Sequence, residues 1–293
     1  MTIKTSSSEA SRMLKAILLA MLVDAKACES ELKTRNASVH DIRVAIRRIR
    51  STLKAYRKYL GEWSVRIEYS FKTLAKKIDL LRDSEAQISW LLTLQKQRKP
   101  TKRAEIDTLI EILTKDQARS SRSMQRNWIP SLKRAIKRLE GHLKAIPDVG
   151  TTKSFDVVFR KILKKQTTRF CKSLKKLSGD NKTADLHAIR IQGKQLRYLI
   201  DPFTKKSACL RRTSQALQRL QNSLGNFHDI QIFKSRYKEL RSKDGRRKKL
   251  RWLGKLLKNQ EKVLFRKAQN TLSRKILTRT LQETISTLKY PIL

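Results

Sequence analysis

Apolar residues recur along nearly the whole chain at the three-to-four-residue spacing of an amphipathic α-helix. Met13, Leu14, Ile17, Leu18, Met21 and Leu22 trace one face of a first helix. Ser38 is placed to cap a second, predicted over residues 39–60 and stopped by Gly61. The pattern predicts further helices over residues 63–81, 84–97, 104–126 and 131–145, with a break at Pro100. Residues 146–152 are turn-rich and lose the helical period. Beyond them come predicted helices over 155–177 and 185–200, separated by a turn at 178–181 and ended by Pro202. Two more surround Gly225, and a long one covers residues 246–288. Only 8 Gly and 5 Pro in 293 residues leave few turns, which agrees with an all-α chain of long helices. The predicted layout is a helical unit over 1–146, a linker over 147–153 and a second helical unit over 154–293.

Charge narrows the function classes. There are 69 Lys and Arg against 25 Asp and Glu, a formal net charge of +44. Solubility needs a net charge of only about 2–8. The excess repels itself and calls for a polyanionic partner. Both halves share it, at +16 for residues 1–150 and +28 for 151–293, so this is no neutral domain with a basic tail. The longest apolar run, residues 16–23, lies between Lys15 and Asp24 and is too short to span a bilayer. Cys28, Cys171 and Cys209 have no Cys-x-x-Cys spacing and imply neither a disulfide framework nor a zinc site. The expectation is a soluble cytoplasmic protein without membrane contact, cofactor or metal.

One pattern occurs twice. His40, Arg43, Arg47 and Arg50 match His187, Arg190, Lys194 and Arg197 in the order His-x-x-Arg-x-x-x-(Arg/Lys)-x-x-Arg. At ~100° per residue each set falls within one ~80° sector of its helix, and Lys54 extends the first set. Ile42, Ile46, Ile49 and Leu53 form the neighbouring apolar face. A stripe of ten residues is ~15 Å long, which suits a chain of anions better than a point ligand. Arg offers a planar fork to two phosphate oxygens, Lys a compact charge, and His a donor sensitive to pH. A second marker follows each stripe: Arg82-Asp83 in the first half corresponds to His228-Asp229 in the second. A lone basic stripe is ordinarily a solvated helix face. Two in register within one chain are what single these out.

No catalytic signature accompanies the stripes. There is no phosphate-cradling Gly-rich loop, His-Glu-x-x-His or Gly-x-Ser-x-Gly. Asp41, Asp83 and Asp229 are the only carboxylates that the sequence places near the stripes, too few to hold Mg²⁺ for phosphoryl transfer. The alternative is a general RNA-binding basic protein. Binders of single strands interleave aromatics with cations to stack bases. Neither stripe carries an aromatic between its His and its last Arg. Weak nucleic-acid binding at low salt is expected from the remaining surface charge.

At these residues the sequence resembles the CHAD family, an all-helical family with two internal repeats of the His/Arg helix. Lys194-Gln195-Leu196-Arg197-Tyr198 and Leu224-Gly225-Asn226-Phe227-His228-Asp229 carry the resemblance most plainly. It implies two four-helix bundles related by pseudo-twofold symmetry, together one CHAD domain around a basic central groove or pore. It also implies binding of inorganic polyphosphate; with no catalytic signature in the sequence, the expectation is a non-enzymatic binding module associated with polyphosphate granules. Carried over by position, the binding residues are His40, Arg43, Arg47, Arg50 and Lys54, with His187, Arg190, Lys194 and Arg197 across the groove. Arg82 and His228 join them. Asp201 stands where Lys54 does in the first repeat, so the second stripe is expected to be shorter. Glu29-Ser30-Glu31-Leu32-Lys33 matches the Glu-x-Glu-x-Lys string of CYTH triphosphate-processing modules. That string needs a strand, and here it falls in a helical pattern.

Overall fold

In the computed structural model, which describes residues 9–33, 39–145, 154–177, 183–242, 251–272 and 275–288, every described element is helical. The first half comprises α1 (Glu9–Lys33), α2 (Val39–Ala55), the short α3 (Arg57–Leu60), α4 (Trp63–Gln95), α5 (Pro100–Ser123) and α6 (Ile129–Ala145). The second comprises α7 (Phe155–Lys175), α8 (Thr183–Ile200), α9 (Ala208–Ser242), α10 (Arg251–Leu272) and α11 (Lys275–Thr287). Helices α1, α2, α4 and α6 pack in a ring, and α7, α8, α9 and α11 pack in another. Contacts of α1 with α7 and of α2 with α8 join the rings.

The core follows the periodicity. Leu14, Leu18 and Leu22 of α1 and Ile42, Ile46, Ile49 and Leu53 of α2 are buried in one cluster. Phe155, Phe159 and Phe170 of α7 and Leu196 and Ile200 of α8 lie in the same cluster, so both halves share a core. Tyr56 stacks on Phe155 at 5.9 Å, an aromatic seam between the halves. A second cluster lies at the outer ends of the long hairpins. It combines Leu91 and Leu94 of α4 with Leu109 and Leu113 of α5, and Phe233 and Leu240 of α9 with Leu253 and Leu257 of α10.

The two cores explain where the predicted boundaries fail. The expected break between residues 81 and 84 is absent, and α4 runs unbroken from Trp63 to Gln95. Asp83 and Ser84 cost only fractions of a kcal/mol in a helix interior. The helix is buried on both sides of them, through Ile78 and Leu81 and then through Leu91 and Leu94. Likewise Gly225 does not separate two helices but sits inside the 35-residue α9. Its cost of about 1 kcal/mol is outweighed by burial of Leu217, Leu220 and Leu224 in one core and Ile230 and Phe233 in the other. Pro100 opens α5 rather than merely ending α4, at a position where its missing N–H is harmless. Gly61, with φ of +83°, ends α3 as the sequence predicts.

Residues 29–33 lie in α1, where alternate residues diverge by ~200°, so the Glu-x-Glu-x-Lys string has no strand to display it. The predicted cap Ser38, the linker over 147–153 and the turn at 178–181 lie outside the described residues. The predicted helix over 246–288 is described as α10 and α11, either side of residues 273–274. Among the described residues no helix is long and apolar enough to cross a membrane.

Candidate functional site

Packing of α2 against α4 and α8, and of α8 against α9, puts the two stripes on facing walls of one cavity of about 410 Å³. From α2 come Arg43, Arg47, Arg50 and Lys54; from α8 come His187, Arg190 and Lys194; from α9 comes His228. The apolar sides of both helices are anchored in the core by Ile42, Ile46 and Ile49 and by Ile189 and Leu196. The cations are therefore aimed by burial of the residues between them. Arg43 and Arg190 are themselves recessed, at 6% and 9% exposure. Their heads are drawn partly out of water and cannot swing freely.

Carboxylates from α4 fix the α2 wall. Asp79 accepts from Nε of Arg43 and, at 3.1 Å, from Nη2 of Arg47. Glu68 accepts from Nε of Arg50 at 3.0 Å and pairs with its Nη2 at 2.9 Å. Both carboxylates line the cavity beside the cations they hold. The expectation that Asp41, Asp83 and Asp229 are the carboxylates nearest the stripes is thus corrected: Asp79 and Glu68 are the direct partners. They lie 36 and 18 residues from the arginines they hold, so no local spacing announces them. Asp83 and Asp229 lie in the interiors of the continuous helices α4 and α9.

On the α8 wall and beside it on α9, burial and neighbouring cations act on the basic groups. Burial and the neighbouring charges of Arg190, Arg47 and Arg43 push the Lys194 amine down to about 6, against a weaker upward pull from Asp229. His228 is pushed down to about 4, chiefly by burial and then by Arg190 and His187, with Asp229 again opposing. Burial, Arg190 and Lys194 also lower His187. The two imidazoles face each other with ring centroids 5.2 Å apart. Burial first, and then the surrounding cations, thus disfavour the charged forms of Lys194, His187 and His228, and a negative charge beside them would act in the opposite sense.

Two predicted residues stand apart from this cavity. His40 is exposed one turn before Arg43 and does not line it. Arg197 is drawn aside: its Nε lies 3.8 Å from Asp201 one turn later, and its guanidinium sits 5.2 Å from the Tyr198 ring centroid. Asp201 is held in turn by the Ser214 hydroxyl at 2.5 Å. The second stripe is accordingly shorter at its end. The side chain of Arg82 lies outside the described residues.

The cavity opens along α9 into a wider one of about 1010 Å³ that shares Asp83, His187, His228 and Ile232. Here the charge is mixed. Arg236 pairs with Asp116 and, at 2.7 Å, with Glu239, which spends its charge within the protein. Of these two adjoining cavities, the one between α2 and α8 has the greater excess of cations. Among the described residues no group of three or more His, Cys, Asp or Glu is arranged to hold a metal ion.

The family model for the CHAD domain matches residues 16–238. Among solved structures, the CHAD domain from the plant Ricinus communis superposes with a TM-score of 0.69 at 16% identity, covering 96% of this chain and 94% of that one. PptA from Streptomyces chartreusis superposes with a TM-score of 0.67 at 14% identity, covering 91% of this chain and all of that one. At such identities the likeness concerns the fold. Comparison with curated proteins found no match.

Proposed function

This chain belongs to the CHAD domain family, and we propose that its central groove binds inorganic polyphosphate as a module without a chemical step of its own. One observation carries the reading: cations 147 positions apart in sequence converge on the two walls of one cavity, with two of the arginines recessed and three held by carboxylates. A merely solvated basic face has no reason to draw Arg43 and Arg190 below its surface or to crowd Lys194 until it favours neutrality. Such crowding costs stability, and the negative charge of a bound polyanion would offset it further than Asp79, Glu68 and Asp229 do.

The ligand's chemistry follows from the lining. The cations supply N–H donors at intervals of about one helical turn along α2, near the 5.4 Å pitch. No aromatic face is offered for base stacking there: Tyr198 is 4% exposed and lies beside the Arg197 guanidinium. The groove would therefore meet phosphates alone. Phosphate oxygens would draw protons onto Lys194 and His187 as they bind. Polyphosphate granules are the corresponding place of action for a protein with this ligand.

The test is competition between long-chain polyphosphate and RNA of equal charge at about 150 mM salt, near physiological screening. Arg47→Ala/Lys194→Ala is run beside wild type, with circular dichroism to verify folding. A polyphosphate preference that collapses in the double variant is the expected result. Equal binding of both polymers, unchanged by the substitutions, would refute the groove and leave a diffuse basic surface.

A further inference from the structure

Away from the central groove, a second depression of about 500 Å³ lies between the C-terminal part of α9 and the N-terminal part of α10. Among the described residues its walls carry Lys234, Lys238, Arg251, Lys255 and Lys258 and no acidic side chain. Lys234 is paired with Glu261. Among the described residues no carboxylate lies within 4.0 Å of the heads of Lys238, Arg251, Lys255 or Lys258. From this cavity we infer a second anion site, one that takes a short condensed phosphate of the pyrophosphate or tripolyphosphate class.

The depression shares no described lining residue with either groove cavity. At ~100° per residue, Gln231, Ile232, Ser235, Arg236 and Glu239 lie within ~80° of His228 around α9 and face the groove cavities. Lys234 and Tyr237 lie ~240° and ~180° round from His228, on another face, while Lys238 and Ser242 flank the groove-facing sector further along the helix. On α10, Arg251, Gly254, Lys255 and Lys258 share a ~100° sector that meets this face.

The convergence is built by close packing as well as by composition. Tyr237 is 4% exposed, and an added Cβ on Gly254 would come within 2.8 Å of its Oη and 3.1 Å of its Cε1. A residue without Cβ leaves room for the Tyr237 side chain where α10 packs on α9, and the lysines of the two helices surround one concavity there. Among the described residues only Lys234 of this cluster has a carboxylate partner, Glu261, and an anion in the space between would relieve the remaining repulsion. Lysine ammonium groups are compact, flexible point charges, suited to a small polyvalent oxyanion whose oxygens point in several directions.

The aromatic residues argue against a nucleic acid. The Tyr237 ring is packed against Gly254 and offers no platform for a base. Trp252 is turned elsewhere: its indole N–H donates to Glu105 on α5, and Arg98 and Lys102 sit 5.9 and 5.2 Å from its ring centroid.

Titration calorimetry of the full chain with inorganic tripolyphosphate, at about 50 mM salt to limit screening, tests the site. Two binding events per chain are expected. Lys238→Ala/Lys255→Ala/Lys258→Ala should abolish one of them, or weaken it at least about tenfold. Arg47→Ala/Lys194→Ala should remove the other and leave this one in place. Gly254→Ala keeps every charge but displaces Tyr237, and should weaken the same event as the triple lysine variant. Lys161→Ala/Lys164→Ala/Lys165→Ala on α7 is the control of equal charge. The inference fails if the control loses as much binding as the α9–α10 variant. It also fails if the α9–α10 variant retains both events, or if an RNA oligonucleotide of equal charge competes for the site as well as tripolyphosphate does. Failure of the central-groove reading has a different signature: both events then survive Arg47→Ala/Lys194→Ala.

Discussion

Asp79 on α4 accepts a hydrogen bond from Nε of Arg43 on α2, and Arg43 is the most deeply recessed cation of the first stripe, with only 7% of its side chain exposed. The pair has two opposed effects. It aims the guanidinium and offsets its burial, yet it also places a negative charge where a polyanion would bind. Removing one partner of a recessed ion pair strands the other, and that cost dominates in the empty protein. Asp79→Asn should therefore lower the melting temperature of the free protein by several degrees, corresponding to about 1–3 kcal/mol. The increase in melting temperature on adding polyphosphate should be larger than in wild type, because the ligand restores the missing counter-charge. Thermal unfolding with and without ligand checks both signs. An unchanged melting temperature for the free variant would show that Asp79 does not hold the wall together.

Position within the groove should decide which arginines matter. Arg47 lines the cavity, whereas Arg197 is held aside by Asp201. Each cation that displaces condensed counterions contributes about one to the slope of log K against log salt. Arg47→Ala should flatten that slope by about one and weaken polyphosphate binding several-fold. Arg197→Gln should leave the slope unaltered and the affinity within about twofold. Affinity measured across a salt series separates the two. A loss at Arg197 equal to that at Arg47 would place it in the groove after all.

Much of this arrangement is legible in residue spacing because it depends on helix geometry alone. The 3.6 period identifies Ile42, Ile46 and Ile49 as the buried face of α2 and hence fixes the direction of the cations beside them. The matching period in α8 does the same for Arg190 and Lys194. What spacing cannot supply is the tertiary environment. Asp79 and Glu68 reach the arginines only because α4 packs on α2. Arg197 shares the helical phase of its partners but lies one turn before Asp201, and a nearby carboxylate outweighs phase. The merged helices have the same cause. Asp83-Ser84 and Gly225 carry local stop signals that are weak beside burial in the two cores at either side.

Gly225 offers a direct measure of that override. It lies inside α9 with ordinary helical backbone, and an added Cβ would meet no atom within 4 Å. Neither a turn nor a close approach requires glycine there. Gly225→Ala should stabilise the protein by about 0.5–1 kcal/mol through reduced freedom of the unfolded chain. Denaturant unfolding should show a higher midpoint at an unchanged m-value. Destabilisation would mean that the helix needs glycine at this crossing for a reason other than space. Gly254→Ala supplies the contrast, since its Cβ would collide with Tyr237.

The strongest pH dependence should come from Lys194. Its amine is pushed down to about 6 in the folded protein, first by burial and then by Arg190, Arg47 and Arg43, whereas in the unfolded chain it titrates near 10.4. Between these values the unfolded state binds more protons than the folded one. Stability of the empty protein should therefore rise with pH across that window through this group, and the cost is fully present below about 6. A polyanion in the groove favours the charged amine, so binding near pH 7 should take up protons and tighten as pH falls from 8 to 6.5. Lys194→Met removes the buried amine and keeps much of its bulk. It should raise the melting temperature of the free protein at pH 6, weaken polyphosphate binding, and reduce the proton uptake by up to one proton per chain. Calorimetry in buffers of different ionisation enthalpy measures that uptake directly. If wild type and Lys194→Met take up the same number of protons, Lys194 is not the group that the ligand recharges.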